Sequence, residues 1–229
     1  MPTFQILCLA NSYKCQGRCI AGLRRDGKGW IRPVSSHIHG ALSPEEYQLA
    51  NQAEPKLLDV IEIDFIRALP EVHQPENWVI SKTPWRFISC FETVSLAQKQ
   101  AVRNFLNDIA IVKPHIFSDF DRKIEYSSLL AYPVTSSLVL IRPEKLSFKI
   151  ISPYKPKIKA CFYLQEYHYF LPVTDPNFIA KIQHLPEGNY PVAELAFPEF
   201  NPEYVFFTIS LGEPYLGYCY KLAAGVISI

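Results

Sequence analysis

The sequence predicts an all-β protein with minor helices: two small β-barrels connected by a helix near residues 93–112. Short runs of strand-like alternation recur in both halves, separated by Gly, Pro, Asn and Asp turn signals. Counts of 13 Tyr, 15 Phe and 19 Pro against a single Met favour strands and turns over helical bundles. Between Glu92 and Lys113 the period changes, with Leu96, Val102, Phe105, Leu106, Ile109 and Val112 at helical spacing. The expected division is residues 1–91 as one barrel, 92–128 as a helical connection and 129–229 as a second barrel.

The elements follow in order. Phe4 to Leu9 and Arg18 to Leu23 are apolar runs of strand length, and Gly27-Lys28-Gly29 is a turn signal. In Trp30 to Val34, alternation puts Trp30, Arg32 and Val34 on one face, and Pro33 marks a strand end or an edge. Ser43-Pro44-Glu-Glu has a capping serine and a proline at the first helical position, predicting a short helix over about 44–51. Leu57 to Leu69 is the clearest strand of the first half, with Ile61, Ile63 and Phe65 facing a core. Val79 to Phe91 holds one more strand or an extended arm. The second half offers Ser137 to Arg142, Leu146 to Ile151, Ile158 to Tyr163, Glu166 to Val173, Tyr204 to Leu211 and Tyr218 to Ile229, with Thr174-Asp-Pro-Asn as a turn or helix start.

Composition narrows the function. With 23 Lys and Arg against 22 Asp and Glu, the net charge of +1 argues against a chain wrapped in nucleic acid, while leaving room for a local basic groove. The N-terminus has no cationic segment ahead of a signal-length apolar run, and no stretch approaches a membrane span. The six cysteines read as reduced core residues of a cytoplasmic protein. Cys15 and Cys19 stand at C-x3-C spacing but lack two further ligands, so no metal is expected. Phosphate-loop, dinucleotide, zinc-protease and nucleophile-elbow motifs are missing, and no cofactor and no catalytic residue is expected.

Several motifs resemble a known family. Asn11-Ser-Tyr-Lys14, Gly17-Arg-Cys-Ile-Ala-Gly22 and Trp30-Ile-Arg-Pro-Val34 resemble the opening of bacterial and archaeal dual OB-containing domain proteins. His73-Gln-Pro-Glu-Asn77, Val173-Thr-Asp-Pro176, Ser210-Leu-Gly-Glu-Pro214 and Tyr220-Lys-Leu-Ala223 are similar to its later signatures. The resemblance implies two OB-like barrels, nucleic-acid binding by fold analogy and a link to prokaryotic genome-conflict systems; it brings no catalytic residues.

Tyr13, Lys14, Arg18, Arg25, Trp30 and Arg32 form the expected nucleic-acid-binding set. Single strands or RNA want cations for phosphates and flat rings for bases, and OB folds place such groups on strands 2–3 and the adjoining loops. The plainer reading makes the basic residues solvated turn charges and Trp30 core, although Arg32 in a strand needs an acidic partner or a ligand. Lys155, Lys157 and Lys159 alternate and could track a phosphate backbone; protection of a sheet edge is the favoured reading. A possible second pocket comprises His73, Glu76, Asn77, Thr174, Asp175, Glu213 and Lys221. Against it, Thr174-Asp175-Pro176 reads as a capped turn, and Glu213 with Lys221 as a hairpin ion pair. Two other functions compete: a protein-interaction or scaffold subunit, and a small-ligand sensor or enzyme using that pocket.

Overall fold

The computed structural model describes residues 1–49, 52–151, 157–195, 197 and 200–229. The first half comprises β1 (Thr3–Lys14), β2 (Gly17–Arg24), β3 (Trp30–Val34), helix α1 (Pro44–Tyr47), β4 (Val60–Ala68), β5 (Asn77–Ile80) and β6 (Arg86–Ser89). Five strands run in the order β1-β2-β3-β5-β4, and β4 returns to β1, closing a barrel with β6 outside β4. The β3–β5 pair is parallel. This is the OB strand arrangement. Alternation fills its interior with Ile6, Ile20, Ile31, Ile61, Ile63 and Phe65, and Trp85 caps that core.

Pro33 does not lie at a sheet edge. β3 changes partner there: Trp30 and Ile31 pair with β2, whereas Arg32, Pro33 and Val34 pair with β5. The missing N–H therefore falls where β2 has left the ladder, and no hydrogen bond is lost.

Helix α2 (Leu96–Ile109) starts at a capping box: Gln98 N–H donates to Ser95 Oγ, and Ser95 N–H donates to Gln98 Oε1. The second half continues with β7 (Lys123–Glu125), α3 (Tyr126–Ala131), β8 (Leu138–Ile141), β9 (Glu144–Ile150), β10 (Ile158–Leu164), β11 (Tyr167–Pro172), α4 (Pro176–Ile182), β12 (Gly188–Pro191), β13 (Val205–Tyr215) and β14 (Tyr218–Ser228). Two four-stranded sheets, β11-β10-β9-β12 and β7-β14-β13-β8, form a half-barrel. Phe148, Phe162, Leu171, Phe207 and Ile209 pack in its core, and α4 places Phe178 against Phe148 with ring centroids 4.5 Å apart.

The halves share a further core of Leu9, Leu58, Leu106, Leu140, Phe206 and Ile227, drawn from β1, the turn before β4, α2, β8, β13 and β14. At its centre two bulges meet. The β1–β2 register shifts between Cys8 and Ala10, leaving Leu9 out of the ladder, and the β13–β14 register shifts between Thr208 and Ile209. The freed Leu9 carbonyl accepts a hydrogen bond from Thr208 Oγ1 at 2.5 Å. Gly225 lies against the same carbonyl, where any Cβ would stand only 2.4 Å from the Leu9 oxygen.

Some elements differ from the sequence reading. α1 ends at Tyr47 because Gln48 turns to extended backbone and Leu49 bridges to Trp85. The 79–91 run divides into β5 and β6 around Thr83-Pro84, since a residue before proline is steered from the turn into extended chain. β7, α3 and β12 are additional, and β7 pairs with β14.

Candidate functional site

The groove that an OB barrel offers to ligands, the outer β2–β3 face and its flanking loops, is filled here by the second half. Ala10 and Ala21 pack on Leu138 and Ala224, with Trp30 partly buried beside them. Arg32, next to Trp30 on that face, is 1% exposed. Its Nη2 donates to Glu76 Oε1 at 2.9 Å, to Ser137 Oγ at 2.7 Å and to Ser210 Oγ at 3.3 Å, while Nη1 approaches the Cys19 sulfur at 2.9 Å. Ser137 donates its backbone N–H to Glu76 Oε2 and its hydroxyl to Glu76 Oε1. The acidic partner that Arg32 requires is thus Glu76, and the pair locks β3 and β5 to β8 and β13.

The remaining residues of the expected binding set are also engaged. Lys14 donates to Glu213 Oε1 at 2.7 Å, and Arg18 donates to Glu54 Oε1 at 2.5 Å while its guanidinium lies 4.7 Å from the Tyr13 ring centre. Arg25 is exposed and donates to Gln5 Oε1. Tyr13, at 57% exposure, is the open aromatic of the set. Arg32 and Trp30 therefore do not line an open groove, and Lys14 and Arg18 reach phosphates only by leaving carboxylates.

The possible second pocket separates into four places. His73 Nε2 stands 3.0 Å from Glu213 Oε2 and 3.3 Å from Glu71 Oε2. Burial pushes the Glu213 carboxyl up, but the hydrogen bond from His73 and the Lys14 ammonium outweigh it and hold the pKa at about 2. Glu76 belongs to Arg32, and Asn77 is buried beside Gln74, to whose Oε1 it donates at 3.3 Å. Asp175 caps α4, accepting from the N–H groups of Asn177 and Phe178, and also accepts from Val226 N–H; its desolvation raises its pKa. Thr174 donates its backbone N–H to Ala223 O. Lys221, fully buried and lowered in pKa by that burial, donates to Asp119 O and Oδ1, so the hairpin pair with Glu213 is not formed.

A different surface is basic and open. On the outer face of the β11-β10-β9-β12 sheet, alternation turns Lys145, Lys149, Lys159, Tyr163, His168 and Phe170 outward, and Lys157 is exposed just before β10. Lys159 faces Lys149 across the β9–β10 ladder, and Tyr163 faces His168 across β10–β11. The Lys159 ammonium lies 4.4 Å from the Phe170 ring centre, and that of Lys145 lies 5.2 Å from Tyr163. Among the described residues none of these four lysines forms an ion pair, unlike Lys14, Arg18 and Arg32. β10 is an interior strand, so the alternation of Lys157 and Lys159 does not protect a sheet edge; Lys155 lies outside the described residues. A groove of about 840 Å³ opens beside this face, with Asn107, Arg142, Lys145, Leu164 and Gln165 on its walls. Sequence reasoning singled out Lys157 and Lys159 but missed Lys145, Lys149, Tyr163 and Phe170, although the period-two pattern of Leu146 to Ile151 carries the signal for Lys149.

A closed OB barrel fused to a second β half-barrel places the chain among OB-fold proteins. It belongs to the DuOB (dual OB-containing domain) family, whose model matches residues 4–226, nearly the whole chain. No curated protein and no solved structure matches it. Among the described residues no helix is long and apolar enough to cross a membrane.

Proposed function

We propose that this DuOB protein is a non-catalytic binder of single-stranded nucleic acid, RNA or DNA, and that it binds on the outer face of the β9–β12 sheet. The observation that carries this reading is the set Lys145, Lys149, Lys157 and Lys159, without ion pairs among the described residues and interleaved with Tyr163, His168 and Phe170 on one sheet. The lysines can neutralise phosphates without breaking an internal ion pair, and the rings offer faces for bases. The family supplies OB folds, for which nucleic acid is a common ligand class. The division at residues 91 and 129, a cytoplasmic setting and a genome-conflict role are parts of the proposal that rest on the sequence reading.

The test is fluorescence-anisotropy titration with short single-stranded RNA, single-stranded DNA and duplex at two salt concentrations. Lys149→Ala with Lys159→Ala is expected to weaken single-strand binding about tenfold or more and to reduce the salt slope by about 1–2. Arg18→Ala with Arg25→Ala is expected to leave binding nearly unchanged. The opposite pattern would return the site to the first barrel. If no nucleic acid binds at low salt, the protein-partner reading takes over; Ile66, Phe87 and Ile88, exposed on β4 and β6, are the apolar surface that favours it.

A further inference from the structure

We infer that Glu71, His73 and Glu213 form a binding site for one divalent transition-metal ion. One imidazole nitrogen and two carboxylate oxygens converge so that all three lie within 4.8 Å of one another. His73 Nε2 is 3.3 Å from Glu71 Oε2 and 3.0 Å from Glu213 Oε2. Ligand atoms about 2.0–2.2 Å from a shared ion stand about 3–3.5 Å apart, so these two spacings already suit a cation between them.

Protein hydrogen bonding leaves the cluster half satisfied. Two carboxylates aim at one imidazole nitrogen, which can offer them a single proton. The imidazole is 3% exposed and turns Nε2 toward both carboxylates. A cation at Nε2 would satisfy both carboxylates together, the imidazole proton passing to Nδ1. One histidine with two carboxylates is a donor set for Zn²⁺ or Mn²⁺, harder than the thiolate-rich sets of structural zinc sites.

The ligands are held in place before any ion arrives. Glu71 and His73 sit in a tight loop closed by Glu71 N–H to Gln74 O and Gln74 N–H to Glu71 O. Gln74 Nε2 pins this loop to Leu211 O at 3.1 Å, two residues before Glu213 on β13. Lys14 holds the other Glu213 oxygen and so turns Oε2 towards His73, as an outer-shell partner orients a ligand. Glu71 and His73 come from the β4–β5 loop, and Lys14 at the end of β1 holds Glu213 of β13 against them. No motif spacing reveals it, because Glu213 is 140 residues from His73.

Isothermal titration of chelator-treated full-length protein with ZnCl₂ and, separately, MnCl₂ tests the inference. The expected result is one equivalent of at least one of the two ions bound, with His73→Asn and Glu71→Gln each weakening binding at least tenfold. Glu71 is nearly half exposed, so its variant retains the fold even if the buried His73 variant does not. Cys15→Ser, which removes an exposed thiol, is expected to bind unchanged. Absence of uptake of either ion by the wild-type chain would overturn the site, as would uptake that survives Glu71→Gln or that depends on Cys15. None of these residues belongs to the lysine-rich sheet, so failure here leaves the nucleic-acid proposal standing.

Discussion

Arg32→Ala is expected to destabilise the protein by about 3–5 kcal/mol, the usual cost of leaving a buried charge without its partner. Glu76 is 7% exposed and would retain a carboxylate facing Ser137 with its main cation gone. Ser210 would lose a donor at the same time. Replacing both members, Arg32→Met with Glu76→Met, is expected to cost less than Arg32→Ala alone, because no isolated charge stays behind. Urea denaturation of the wild type and the two variants measures this. A loss below about 1 kcal/mol for Arg32→Ala would mean that water reaches Glu76 and that the network does not fasten the halves together.

Phe206→Ala is expected to cost a similar amount, about 3–5 kcal/mol, through lost apolar burial and the cavity left behind. Phe206 is fully buried in the core shared by both halves. The three tryptophans, Trp30, Trp78 and Trp85, all lie in the first half. Trp78 and Trp85 belong to the closed-barrel core and Trp30 to its seam with the second half, so their fluorescence follows the first half and that seam, while the substitution is on β13 in the second half. The expected outcome is a tryptophan-monitored transition that moves to lower denaturant together with the far-ultraviolet circular dichroism transition. A fluorescence midpoint that stays in place would show that the barrel unfolds independently of its neighbour.

The strands were legible because their signals are local. Trp30 to Val34 coincides with β3, and the shift to helical spacing after Glu92 locates α2, since alternation and helical period follow from which face is buried. β12 was hidden in a run of turn residues, and its pairing with β9 is supplied by the tertiary fold. The site was less legible for a related reason. A cation in a strand beside a tryptophan correctly demands a partner, but the sequence does not say that Arg32 finds it 44 residues away in Glu76. Likewise, Lys14 and Arg18 look like groove cations until long-range carboxylates take them up, and Lys149 looks ordinary until the sheet places it opposite Lys159. Charge pairing is decided by contacts distant in sequence, whereas periodicity is decided by neighbours.

The filled outer face of β2 and β3 also limits how the chain can be divided for study. A fragment ending before β7 would expose Leu9, Ala10, Ala21 and Trp30 to water and leave the Leu9 carbonyl without Thr208. Such a piece presents a contiguous sticky patch around an ion pair stripped of its serine partners, and its natural course in a cell is aggregation or proteolysis. Work on either barrel's ligand is therefore best done on the undivided chain with point substitutions, because truncation creates an artificial surface at the place where an OB ligand would be sought.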